Sequence, residues 1–73
     1  MLKPGDIKIV PPIQTTYGKV GTSSVPCYKI FFTVRDQGPY SVLVQTEGYS
    51  VDRARQAIEE VAGPIVDTLD AFK

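Results

Sequence analysis

The sequence contains no histidine and only one cysteine, so several kinds of functional site have no side chains to build them. Without histidine the most frequent general base is absent, and with it the usual nucleophile triads. Cys27 has no second cysteine for an internal disulfide, and a single thiol does not make a structural zinc site. We therefore expect a non-enzymatic protein that uses neither a cofactor nor a metal ion.

Long apolar runs are also absent from the sequence. No segment approaches the roughly 20 apolar residues of a membrane span. Residues 1–6 lack the apolar stretch of a signal peptide. A lone cysteine is compatible with a reducing compartment. These features predict a soluble, cytoplasmic protein that does not contact a membrane.

The 73 residues are enough for one small domain, which we expect to cover residues 1–73. The core of such a domain supplies at most about 3–5 kcal/mol of net stability, so small domains often add a disulfide, a metal or a partner chain. This sequence has no means of forming the first two. Association with a partner chain is the remaining way to add stability.

The net charge is zero, but the charges are unevenly distributed. Residues 1–40 contain five basic and two acidic side chains, a net charge of +3, and residues 41–73 contain three basic and six acidic ones, a net charge of −3. Ordinary solvated faces of two element types explain this asymmetry. The alternative is a polarised surface that orients a partner.

Apolar residues recur with helical spacing through residues 50–72. Ser50 is a suitable N-cap for this helix. Gly63-Pro64 interrupts the segment without breaking the apolar period, which predicts either one kinked helix or two helices that share a direction. The acidic side chains lie mostly off the apolar stripe, and we interpret them as a solvated face. The stripe consists of Val51, Ala54, Ile58, Val61, Ile65, Leu69 and Phe72.

Three segments upstream of the helix alternate between apolar and polar residues, as half-buried strands do. The first covers residues 6–10. Pro11-Pro12 then ends that strand or confines it to a sheet edge, and residues 13–17 are suited to resume it. Residues 18–24 are expected to form a flexible loop. Residues 27–35 and 40–46 form the clearest strands, joined by a three-residue turn at residues 36–38 with Gly38 in the left-handed region.

This turn predicts the register of the hairpin, with Phe32 opposite Val42 on the inner face and Phe31 opposite Leu43 on the outer face. The fold class that follows is α+β: a three-stranded antiparallel meander with one face covered by the C-terminal helix, in the order βββα. The residues expected under the helix are Tyr28, Ile30, Phe32, Val34, Val42 and Val44.

The outer face, turned away from the helix, combines apolar and basic side chains. Phe31 and Leu43 form an apolar pair there, which Val10 extends if the first strand lies beside them. A paired apolar patch on a small sheet often marks a contact surface. We expect this face to bind protein, in a homodimer or with another partner. The candidate contact residues are Phe31, Leu43, Lys29, Arg35, Lys8 and Val10.

The same face has a second interpretation, because basic residues around an aromatic ring on a sheet can bind nucleic acid. In overall architecture, a three-stranded sheet backed by a C-terminal helix is similar to the arm-site-binding domains of tyrosine recombinases, a resemblance that implies DNA binding. The chain lacks the strong positive charge that phosphate contacts favour. Nucleic acid is therefore the alternative partner.

Overall fold

A computed structural model describes all 73 residues and shows one antiparallel sheet followed by one helix. The strands are β1 (Ile7–Val20), β2 (Ser23–Val34) and β3 (Gln37–Gln45), and the helix is α1 (Val51–Ala71). The strand order β1-β2-β3 means that each strand pairs with the next one in sequence. The predicted βββα meander is confirmed.

Strand β1 continues through Pro11-Pro12, where the sequence left open whether it would end. It pairs with β2 on both sides of the prolines, and the register shifts between Val10 and Gln14. This is possible because β1 is an edge strand, so a proline that lacks an N–H group need not remove a bond between strands. The predicted loop at residues 18–24 is wrong, since both strands extend into it and only Gly21 and Thr22 remain in the turn.

The turn between β2 and β3 also differs from the prediction. Arg35 and Asp36 occupy it with φ values of 48° and 66°, and Val34 pairs with Gln37. Two-residue hairpin turns with positive φ match the twist of the strands, and aspartate tolerates this conformation. Gly38 has the positive φ predicted for it, at 117°, but it lies within β3 and not in the turn, near a register shift between Phe32 and Val34.

The register of this hairpin is displaced by two residues from the predicted one. Phe32 lies opposite Tyr40, and Phe31 lies opposite Ser41. Leu43 lies opposite Lys29, so the predicted direct pairing of Phe31 with Leu43 is wrong. Because side chains alternate with a period of two, this displacement leaves the paired residues Phe31, Phe32 and Leu43 on their predicted faces.

Helix α1 is continuous through Gly63 and Pro64. The Ser50 hydroxyl accepts a hydrogen bond from the backbone N–H of Arg53 at 3.1 Å, which confirms the predicted N-cap. The predicted stripe is only partly right, since Val51 and Phe72 are exposed. In the second half of the helix the buried row also shifts by one residue, to Ala62 and Val66, and leaves the predicted Val61, Ile65 and Leu69 half-buried. Small alanines in this row let the helix approach the sheet closely. The buried helical residues are Ala54, Ile58, Ala62 and Val66. The helix is not long and apolar enough to cross a membrane.

The core lies between α1 and the inner faces of β2 and β3. It contains the predicted strand residues, with Tyr28 at its margin. None of the ten buried residues belongs to β1. The helix therefore covers two strands of the sheet and leaves the inner face of the third strand open. The buried strand residues of this core are Ile30, Phe32, Val34, Val42 and Val44.

Candidate interaction surfaces

The first candidate surface is the outer patch, formed by Val10, Phe31 and Leu43 on the face opposite the helix. Val10 and Phe31 lie directly opposite each other on β1 and β2. Leu43 lies diagonally from Phe31 on β3 and is 50% exposed. Diagonal neighbours in a sheet remain within reach of large side chains. The patch therefore spans all three strands, although its central pair is Val10–Phe31 rather than Phe31–Leu43.

Two of the predicted basic residues flank this patch. The Lys29 ammonium lies 5.3 Å from the centroid of the Phe31 ring, within the range of a cation–π contact. Lys8 Nζ lies 3.7 Å from Asp36 Oδ1 at an exposed ion pair. Such exposed pairs contribute little to stability. Of the two cations, only Lys29 lacks a carboxylate partner.

Arg35 does not lie beside Lys8 and Lys29, so the prediction that it lies near Phe31 on the outer face is wrong. Its Nη1 donates to Asp70 Oδ1 at 2.8 Å, and its Nε donates to Asp6 Oδ1 at 3.3 Å. These bonds link the β2–β3 turn to the segment before β1 and to the end of α1. Asp70 is therefore part of an ion network and not only of a solvated acidic face.

The network shifts the pKa values of the three side chains that form it. The Arg35 guanidinium, followed by the Met1 ammonium, holds the pKa of Asp70 well below its usual range. The backbone N–H of Lys3 and then Arg35 lower the pKa of Asp6. The two carboxylates, Asp70 first, raise the pKa of Arg35. The one sequence signal that bears on Asp70 is its place in the last turn of the helix, where a carboxylate opposes the helix dipole and a nearby cation is favoured, but this signal does not identify Arg35.

Cys27 is buried beneath the outer face, as expected for a small packing residue. Its thiol lies 3.5 Å from the carbonyl oxygen of Val25. A Cβ atom built on Gly18 would lie 3.1 Å from this sulfur and 3.4 Å from Leu43 Cδ1. Gly18 and Leu43 are therefore the residues that cover the thiol. No group of three or more acidic or cysteine side chains is arranged to hold a metal ion.

The second surface was not found from the sequence. It is the β1 groove, an open cavity of about 660 Å³ between α1 and the inner face of β1. Ile9 and Ile13, which are 47% and 50% exposed, lie along its β1 side. Lys3, Arg55 and Glu59 are its charged residues. The lateral placement of α1 over β2 and β3 creates the groove. We define it by Ile7, Ile9, Ile13, Tyr49, Val51 and Ile58.

The groove is continued by the β1–β2 arm, residues 17–26. Four β1–β2 pairs, from Tyr17–Pro26 to Val20–Ser23, lie beyond the last β2–β3 pair, Cys27–Gln45. Apart from the hydrogen bonds that Thr46 donates to Pro26 at its base, this part of the hairpin is two-stranded. Tyr17 is 74% exposed there. The predicted flexible loop is thus a projecting ribbon with an exposed aromatic side chain.

No protein-family model matches the chain, and no curated protein or solved structure is significantly similar to it. Its function therefore has to be argued from these surfaces.

Proposed function

We propose that the chain is a non-enzymatic module that acts by binding another protein through the outer patch. The observation that carries this proposal is the uncovered apolar contact of Val10 with Phe31, continued to Leu43 across the whole width of the sheet. An apolar patch with a charged margin is typical of protein contact surfaces. The proposal places the module in the reducing cytoplasm, where Cys27 stays a thiol.

Binding of nucleic acid is the second candidate, and one observation favours it. Lys29 lies over the Phe31 ring on an open sheet face, an arrangement in which a base can stack beside a cation. Against it, Arg35 is held by Asp6 and Asp70, and Lys8 is paired with Asp36. A face with one unpaired cation offers few phosphate contacts, which supply much of the affinity for nucleic acid.

A photo-crosslinking amino acid at Leu43 tests the protein contact in cells that express the full chain. We expect covalent adducts of defined mass with another protein, because Leu43 is exposed at the edge of the patch. The same crosslinker at Glu60, exposed on the helix, is the matched control and should give no such adduct. The Leu43 adduct should disappear when Val10→Ser is introduced into the same chain.

Chromatography on heparin and on DNA at low salt separates the two candidates. We expect no retention of the wild-type chain on either column. Retention that is lost in Lys8→Ala/Lys29→Ala would establish the nucleic-acid alternative. Equal adduct yields at Leu43 and Glu60 would show that the outer patch is not a specific contact.

A further inference from the structure

We propose that the β1 groove and the β1–β2 arm together form a homodimer interface, in which the arm of each copy occupies the groove of the other. This contact uses the opposite face of the sheet from the outer patch. It is therefore independent of what the outer patch binds, and a dimer built this way leaves both outer patches free.

The groove provides the receiving half of the interface. Ile9 and Ile13 of β1 remain about half exposed because no helix covers them, and Val51 at the start of α1 is also exposed. A contiguous apolar cleft of this size on a chain of 73 residues is more than scattered surface exposure explains. The groove is open to solvent between a helix and an edge strand, which is the side from which a second copy can approach.

The arm provides the entering half. A two-stranded ribbon is marginally stable in water and needs a third strand or a helix to pack against. Beyond its base at Pro26, the arm has neither within its own chain. Tyr17 is exposed on it, on the same face as the groove. The α1 wall of a second copy's groove would supply the missing packing surface.

The two halves lie along the same strand, which makes the contact self-complementary. Ile9 lies opposite the core residue Phe32, so it points to the inner face, and Ile13 lines the same groove. Thr15 lies opposite Tyr28, so alternation places Tyr17 on that face as well. A two-fold axis near Ile13 then brings Tyr17 of each copy against Ile9 of the other. Such isologous contacts are the commonest in homodimers.

The groove and the arm are both needed for an interface of useful extent. Fourteen residues line the groove, and alternation turns Tyr17 and Lys19 of the arm, with their partners Pro26 and Ser24, to the same face. These are 14 + 4, or 18, residues, which is close to the lower end of the roughly 20–30 that each partner contributes to an interface of standard size.

The charges at the two ends of the surface are complementary. Lys19 is the only charged residue of the arm, and Glu59 lies at the groove. Neither has an ion-pair partner within its own chain, whereas Arg55 at the groove is paired with Asp52. The two-fold axis near Ile13 brings Lys19 towards the end of the partner's groove where Glu59 lies. Lys3 at the same rim opposes Lys19, so we expect this pair to align the copies more than to strengthen the dimer.

Sedimentation velocity and light scattering over a concentration series test the dimer with the full chain. We expect the wild type to show twice the chain mass at high concentration. Ile13→Ser/Tyr17→Ser should shift it to a monomer while the far-ultraviolet circular dichroism stays unchanged, because both side chains are already exposed. The matched control is Val10→Ser/Leu43→Ser on the outer patch, which should keep the dimer mass.

Charge reversal gives a second test at exposed positions that do not threaten the fold. Glu59→Lys should shift the dimer towards monomer, because Lys19 then faces only cations at that rim, and adding Lys19→Glu should restore the dimer. A wild type that stays monomeric at high concentration would overturn the proposal. So would a dimer that the outer-patch pair dissociates and the groove pair does not. A weakening by Glu59→Lys that Lys19→Glu does not reverse would refute the proposed alignment.

Discussion

At the scale of single residues, the inner face depends most on Phe32. Its side chain is 0% exposed, and its ring centroid lies 6.0 Å from that of Tyr40. Phe32 sits on the central strand, so it contacts both the helix above it and the neighbouring strands beside it. Leu43, on the other face, is half exposed and contributes far less packing.

We predict that Phe32→Ala lowers the free energy of unfolding by about 3–5 kcal/mol, the range for a buried phenylalanine. That loss is comparable to the whole net stability expected of so small a core, about 3–5 kcal/mol, so the variant should be largely unfolded. Urea unfolding followed by circular dichroism measures the effect. Leu43→Ala serves as the control and should remain folded. Equal stability of the two variants would contradict the assignment of the sheet faces.

At the scale of elements, two glycines show how differently the helix and the sheet tolerate added volume. Gly63 lies inside α1, and a Cβ atom there would have no neighbour within 4 Å. Gly18 lies in β1 against the buried Cys27 sulfur. Glycine weakens a helix through its conformational freedom, whereas at a crowded sheet position it leaves room for a neighbour.

We predict that Gly63→Ala raises the free energy of unfolding by about 0.5–1 kcal/mol, because alanine has the higher helix propensity and its methyl group meets no atom outside its own helix. Gly18→Ala should instead lower it by about 1–3 kcal/mol, the usual range for overpacking. Both changes add one methyl group, so thermal or urea unfolding compares them directly. A Gly18→Ala variant more stable than the wild type would mean that the outer face is not tightly packed against Cys27.

At the scale of the whole molecule, the Asp6–Arg35–Asp70 network joins the most distant parts of the chain. It holds the residues before β1, the β2–β3 turn and the end of α1 together at one end of the fold. The exposed fractions of the Arg35, Asp6 and Asp70 side chains are 26%, 15% and 31%, so solvent screens these ion pairs only in part.

We predict that the chain loses stability as the pH falls below about 4, the ordinary range of aspartate. Both carboxyl groups have a lower pKa in the folded chain, so their stabilisation is complete above the unfolded-state pKa. It is lost as the pH falls through the folded-state pKa. Urea unfolding between about pH 7 and pH 2 should show this decline.

Asp70→Asn should lower stability at neutral pH and flatten the decline, because Arg35 then has one ionised partner instead of two. Glu60→Gln removes an exposed helical carboxylate that has no ion pair and is the control. If Glu60→Gln flattened the decline as much as Asp70→Asn, the acid sensitivity would reflect net charge and not this network.

Local patterns in the sequence were sufficient for the elements and for their faces. Alternation in β2 and β3 placed Phe32 inside and Phe31 outside, and the N-cap at Ser50 placed the start of the helix. These properties depend on periods of two and 3.6 residues, which are local features of the sequence and do not depend on tertiary contacts. Even the two-residue error in the hairpin register left the faces unchanged for this reason.

Only the tertiary structure decided where the helix lies across the sheet, and with it which apolar surfaces stay uncovered. A helical stripe specifies that α1 packs on the inner face, but not whether it covers β1 or β3. The close approach of Ala54 and Ala62 to β2 and β3 set that position and left Ile9 and Ile13 open in the groove. The contact of Arg35 with Asp70 spans 35 residues, so no local period could have foretold it.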